Sequence, residues 1–336
     1  MKRLSALLSA LIALLASSCD TILQYPEEPD EVHTTLKARI VLNVDFSPVS
    51  DPITVPYSRV TDNEFDVRYQ VAVYALDASG NRKLSATKIW TDDIIAEGPF
   101  SVSTDMELDA KQYEVYAWID FVPIGTKDDY HYITTDPRKI VLSDPNVHGL
   151  DSRDAFAGKV HADLRSYGGT DGKEVTVTVD MERPFGKFII VSTDMNEFQS
   201  NSHKYATSDA DISATQTLCR YTSYFPTSYN LDTRFAHPED FKLRVNHLSD
   251  AETQHDGTIV LTGNYVFVCN SQTTVTADIE ITGSNGKIIN TVRNITIPIE
   301  RNRLTVISGQ FLTGSFGSGG FGIDDNFEGE IVIVVP

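Results

Sequence analysis

The chain has 336 residues, with 28 Lys+Arg against 47 Asp+Glu and a formal net charge of −19. That balance excludes a nucleic-acid binder, because phosphate contacts need clustered cations, and it suits a soluble, self-repelling surface protein. A hydrophobic fraction of 41% and a charged fraction of 22% describe a folded chain long enough for one large or two medium domains.

Met1-Lys2-Arg3 is a short basic start. Leu4 to Ala16 carries no charge, and Ser17-Ser18-Cys19 follows. This is the order of a secretory signal. The apolar run is too short for a spanning helix, which needs roughly 20 residues. A cysteine directly after small residues looks like a bacterial lipobox, whose cysteine is diacylated and becomes the mature N-terminus. Ala16 stands where Leu is usual, three before the cysteine. The expectation is a lipoprotein signal peptide over 1–18, lipidation at Cys19 and a chain anchored to a membrane. A plain signal peptide cut nearby is the alternative. Residues 19–34 read as an acidic tether, with Pro26, Pro29, Asp20, Glu27, Glu28, Asp30 and Glu31.

Strands follow. Leu36, Ala38, Ile40, Leu42, Val44 and Phe46 alternate on one face, and Tyr69, Val71, Val73 and Ala75 repeat the period. Asp77-Ala-Ser-Gly-Asn81 is a turn signal. Further strands are marked by Tyr113 to Ile119, Val175 to Met181, Phe185 to Val191, Val275 to Ile281, Ile295 to Ile299 and Leu304 to Phe311. Ser284-Asn-Gly286 predicts a hairpin turn, and Asp194 to Ser200 one short turn of helix. Many short strands argue for an all-β chain of two tandem β-sandwich domains. We place the boundary at Glu182-Arg183-Pro184, giving domains over 35–182 and 183–336, because Pro cannot donate to a ladder.

Leu312 to Gly329 holds six glycines, a linker composition. Ile331, Val332, Ile333, Val334 and Val335 then form an apolar run with no alternation, which must be covered on both faces. It is either the last core strand or a donor strand given to a neighbouring subunit.

Chemistry-bearing patterns are few. Cys219 and Cys269 lack metal-type spacing; they form either a disulfide or two buried free thiols. The eight histidines make no HExxH or close pair. Asp92-Asp93, Asp128-Asp129 and Asp324-Asp325 lack the spacing of a calcium loop. Gly314-Ser-Phe-Gly-Ser-Gly-Gly320 is neither a nucleophile elbow nor a phosphate loop. No enzyme, metal or cofactor is expected. Tyr221, Tyr224, Phe225 and Tyr229, with Tyr130 and Tyr132, are either sheet packing or a surface that stacks on glycan or protein.

Several segments together resemble one family. Tyr113-Glu-Val-Tyr-Ala-Trp-Ile-Asp-Phe-Val122, Gly125-Thr126, Tyr130-His-Tyr132, Thr135-Asp136, Asp154-Ala-Phe156, Glu182-Arg-Pro-Phe185, and Arg301-Asn302 with Leu304 to Thr313 are similar, in order, to motifs of the fimbrillin-like lipoproteins of Bacteroidales. The resemblance implies transthyretin-like sandwiches and a cell-surface fimbrium, with other fimbrial subunits and the outer membrane as partners. It implies two subtypes. Anchoring subunits keep the lipidated N-terminus, and the tether running into the first strand is closer to these. Stalk or tip subunits are cut after an arginine beyond the first strand; here Arg59 is the candidate, or else a solvated loop residue. A surface lipoprotein holding host or bacterial ligands is the third reading.

Overall fold

The computed structural model describes residues 34–47, 64–93, 98–147, 151–201, 213–236, 241–254, 256–314 and 330–335. The first half of the chain contributes β1 (Thr35–Asp45), β2 (Phe65–Leu76), β3 (Arg82–Asp92), β4 (Pro99–Asp109), β5 (Gln112–Pro123), β6 (Tyr132–Ile133), β7 (Lys139–Leu142), β8 (Phe156–Asp163) and β9 (Glu174–Asp180). The second half opens with β10 (Phe185–Ser192) and the short helix α1 (Met195–Ser200). Then come β11 (Ala214–Tyr221), β12 (Phe225–Pro226), β13 (Ser228–Asn230), β14 (Phe241–Lys242), β15 (Asn246–Asp250) and β16 (Glu252–Thr253). The last five are β17 (Ile259–Phe267), β18 (Gln272–Gly283), β19 (Ile288–Glu300), β20 (Leu304–Gly309) and β21 (Glu330–Val335).

The molecule is all-β, built of stacked sheets. In the first half, a sheet of order β4-β1-β9 faces one of order β3-β2-β5-β8. Alternation in β1 puts Leu36, Ala38, Ile40, Leu42 and Val44 inside, against Val67, Tyr69, Val71, Val73, Val115, Ala117 and Ile119. In the second half, β16-β17-β10-β20-β21 faces β15-β11-β18-β19. Phe188, Ile190, Leu261, Ile279, Ile297 and Ile307 lie in that core. β10 is buried along its whole length because Ile189 and Val191, out of phase with Phe188 and Ile190, close a second small cluster with Val260, Leu304 and Val306. The turns behave as the sequence predicts: Gly80 and Gly286 both take positive φ.

The two halves repeat one pattern. β1 pairs antiparallel with β4 and parallel with β9; β10 pairs antiparallel with β17 and parallel with β20. In each half, then, the first strand lies between an antiparallel partner and a parallel strand from late in that half. Among the described residues β21 has no counterpart in the first half.

The halves share one interior. The even positions of β2 and β5 are also buried: Ala72, Tyr74, Tyr116 and Trp118 belong to the same cluster as Phe185, Phe267 and Ile297. β13, from the second half, pairs with β7, from the first. The rings of Tyr132 and Phe185 meet tilted at 5.8 Å, while those of Phe185 and Phe267 stack at 4.8 Å and those of Phe267 and Tyr229 at 5.7 Å. Backbone contact at the crossing is close enough to require glycine: a Cβ on Gly186 would stand 2.2 Å from the Glu300 carbonyl oxygen.

Candidate functional site

Three of the sequence motifs converge at the crossing between halves. Arg183 donates from Nε to Asp154 at 2.8 and 2.9 Å, and from Nη2 to Asp154 at 2.8 Å. Its Nη1 donates to the side chain of Asn302 at 3.1 Å, and its Nη2 to the carbonyl of Ser47 at 2.8 Å. The guanidinium also lies over the Phe156 ring. A second polar seam centres on Asp232, which accepts from Tyr116 at 2.5 Å, Lys159 at 2.6 Å and Arg82 at 2.9 Å. Glu114, beside it, pairs with Arg82 and Lys159. Arg68 and Asp120 form a third, buried pair at 2.6 Å, and Asp129 joins at 2.9 Å. Each of these groups is tied to a structural partner. Among the described residues no cluster of His, Cys, Asp and Glu could hold a metal ion. Among them, too, no helix is long and apolar enough to cross a membrane.

Two features do present strand-pairing chemistry. The first is the tail. β21 pairs parallel with β20, Leu304 opposite Glu330 through Gly309 opposite Val335. After β20 the chain is pinned before it leaves. The buried Asp194 carboxylate accepts from the Thr313 amide at 2.6 Å, the Thr313 hydroxyl at 2.8 Å and the Leu312 amide at 3.2 Å. Asn290 Nδ2 donates to the carbonyls of Phe311 at 2.8 Å and Gly314 at 3.0 Å. Asp194 was visible in the sequence only as a helix start; nothing in its spacing signals that it holds residues more than a hundred positions later.

The second is the place occupied by β1. Eleven residues of β1 pair with β4 and seven with β9. β4 has no other ladder partner among the described residues. The outward side chains of β1 are Thr35, Lys37, Arg39, Val41, Asn43 and Asp45. Lys37 lies opposite Glu107 on one side and Glu174 on the other; Arg39 lies opposite Asp105 and Thr176. Arg39 donates to Asp105 at 3.1 Å, and Asn43 to Asp180 at 2.9 Å.

The residues singled out from the sequence fare differently. Cys19 and Arg59 lie outside the described residues. Ile331 to Val335 form most of β21. Cys219 and Cys269 stand as free thiols. Cys219 is sealed in the core on β11, where burial pushes its thiol up to about 12, whereas Cys269 is half-buried after β17. The aromatic group is divided. Tyr221, Phe225, Tyr229 and Tyr132 are core residues, and Tyr224 and Tyr130 are exposed. Tyr221 and Tyr229 therefore pack the sheets, and with Tyr224 alone exposed among the three they form no continuous stacking platform.

Residues 29–336 match the model of a family of unknown function (DUF6562), and the chain belongs to that family. No curated protein matches it in sequence. Similar solved structures are fimbrial and adhesin-like proteins of Bacteroidales. The fimbrial anchor protein Mfa2 of Porphyromonas gingivalis is 10% identical with a TM-score of 0.36, covering 77% of this chain and 82% of that one. A fimbrial assembly protein of Parabacteroides distasonis is 12% identical with a TM-score of 0.37, over 82% of this chain and 91% of that one. The tip fimbrial protein Mfa3 of Porphyromonas gingivalis is 10% identical with a TM-score of 0.38, over 78% and 81%.

Proposed function

We propose that the chain is a non-enzymatic structural component of a cell-surface fimbrium, an anchoring or accessory subunit held to the outer membrane by lipid on Cys19. It joins other fimbrial subunits by β-strand addition. The proposal divides the chain into signal peptide 1–18, tether 19–34 and sandwich domains 35–182 and 183–336. The observation that carries it is β21. The repeated pattern of each half is complete at its late parallel strand, β9 or β20, and β21 is an extra parallel strand beyond it. It is reached through a glycine-rich connection that starts from a pinned exit at Leu312–Thr313. A terminal strand that adds to a finished sheet has the chemistry of strand donation. The resemblance of the sequence motifs to fimbrillin-like lipoproteins points the same way.

A second reading is a polymerising stalk or tip subunit cut after Arg59. The place of β1 favours it: the first strand fills a complete slot between β4 and β9, and its loss would leave both ladders open.

The test is the chain lacking Ile331 to Pro336, expressed in its native cell beside the full chain. The expected result is a folded truncated protein that no longer co-isolates with other fimbrial subunits, its mature mass beginning at lipid-modified Cys19. A truncated chain that unfolds makes β21 a plain core strand and removes the donor role. A mature chain beginning at Val60 replaces the anchoring reading with the processed one.

A further inference from the structure

The inner positions of the β1 slot are generic, and its outer rim is not. Inward, any alternating aliphatic strand meets the core that Leu36, Ala38, Ile40, Leu42 and Val44 now fill. Outward, the flanking strands present Asp105 and Glu107 from β4 and Glu174 and Asp180 from β9, with Ser101, Ser103, Thr176 and Thr178 between them. All four acids are exposed. β1 answers them with its cations: Lys37 is set between Glu107 and Glu174, and Arg39 is paired with Asp105. The strand in the slot is thus matched to it in charge as well as in alternation. The site is the ladder itself, with β1 as its resident; the acids decide which strand suits it. Like charges directly opposite across a ladder are destabilising.

The chain's own tail fails that match. From Leu304 to Pro336 there is no Lys or Arg, and Asp324, Asp325, Glu328 and Glu330 are all acidic. Laid between β4 and β9, the strand Glu330–Val335 offers no cation to Glu107, Glu174 or Asp105 and brings one more negative charge at Glu330. Neighbouring β20, its present partner, carries no acid between Leu304 and Gly309.

We infer that the slot held by β1 selects, through the acids on its outer rim, a strand carrying Lys or Arg at alternate outward positions, so that its occupant is a basic strand of another subunit and not the tail of a second copy. This rests on the second reading above, in which β1 leaves its slot. The rim is exposed, so selection is salt-dependent and acts by repelling wrong strands more than by binding the right one.

The test uses the full chain, folded and then cut at one protease site engineered within residues 48–63. Three labelled peptides are offered in dilute salt: the β1 sequence, the same peptide with Lys37→Glu and Arg39→Glu, and Glu330 to Pro336. The β1 peptide is expected to enter, with the doubly substituted peptide weaker by about fivefold or more, as two exposed charge contacts allow. The tail peptide is expected to stay out. Glu107→Lys with Glu174→Lys in the chain reverses the order of the first two. Equal entry of the first two peptides, or entry of the tail as readily as β1, overturns the inference. If no peptide enters, the slot does not exchange strands and the processed-subunit reading falls. The charge selection is then judged in the uncut chain. There, Lys37→Glu with Arg39→Glu is expected to speed hydrogen exchange along β4 at low salt and not at 0.5 M salt; no difference overturns it.

Discussion

The Glu114 carboxylate sits on the second-half side of β5, where it accepts from Tyr116 at 2.8 Å and pairs with Lys159 at 2.9 Å. Burial pushes its pKa up, but the hydrogen bonds from Arg82, Lys159 and Tyr116 outweigh burial and hold it down at about 2, against an ordinary 4.5. Its depressed value means that the folded state holds the proton less tightly than the unfolded chain does. The contribution of Glu114 is therefore complete above about pH 5 and lost as pH falls towards 2. His131 acts earlier. Buried and bonded to Ser152 at 2.9 Å, it is pushed down to about 3 from 6.5, first by burial and then by Arg153. The unfolded chain takes up that proton below about 6.5 and the folded chain does not, so stability declines from pH 6.5 downwards. Urea midpoints measured from pH 7 to 3 should show both windows. In His131→Asn the decline between pH 6.5 and 5 should be shallower than in the unchanged chain. In Glu114→Gln the unchanged chain's advantage should shrink only below pH 5. Parallel curves for all three proteins would contradict both assignments.

At the scale of elements, the tail's exit is a specific joint. Asp194, at the start of α1, holds the amides of Leu312 and Thr313, and Asn290 holds the Gly314 carbonyl just beyond them. Asp194→Ala removes a buried acceptor from two amides, which costs about 1–3 kcal/mol locally. Hydrogen exchange at Leu312 and Thr313 should speed up about tenfold or more, while the β18 amides keep their protection. Unchanged exchange at both positions would mean the joint is held by the packing of Phe311 and Leu312 alone. The elements also mark what a sequence can and cannot disclose. β1 is legible because one face is wet, so its pattern alternates. β2 and β5 are legible as strands, but their even positions are not legible as core. Arg68, Gln70 and Asp120 read as solvent-facing until the segment carrying Lys127, Asp129 and Thr134 folds back onto them. β21 is legible as a strand, yet no local signal says which sheet it joins. Arg183, Asp154 and Asn302 each lie in a motif noticed for resemblance, but their meeting is a long-range fact that periodicity does not carry.

For the whole molecule, the shared interior decides how the two sandwiches unfold. Tandem domains joined by a linker open separately when little is buried between them. Here Tyr116 and Trp118, fully buried on the back of β5, belong to one core cluster with Phe185, Phe267 and Ile297, Tyr116 donates to Asp232, and β13 completes a sheet begun by β6 and β7. Opening either half exposes a face of the other, along with the Arg183–Asp154 pair and the Asp232 cluster. Removing one partner of a buried ion pair alone costs about 3–5 kcal/mol. The two halves should therefore unfold in one transition. Nature supplies a probe for each: the two tryptophans, Trp90 and Trp118, both lie in the first half, and Cys219 is sealed in the second. In a chain with Cys19→Ser and Cys269→Ser, tryptophan emission and Cys219 labelling followed through urea should share one midpoint. If Cys219 becomes reactive while tryptophan emission stays native, the second sandwich opens alone. The seam would then be an interface between independent domains and not a common core.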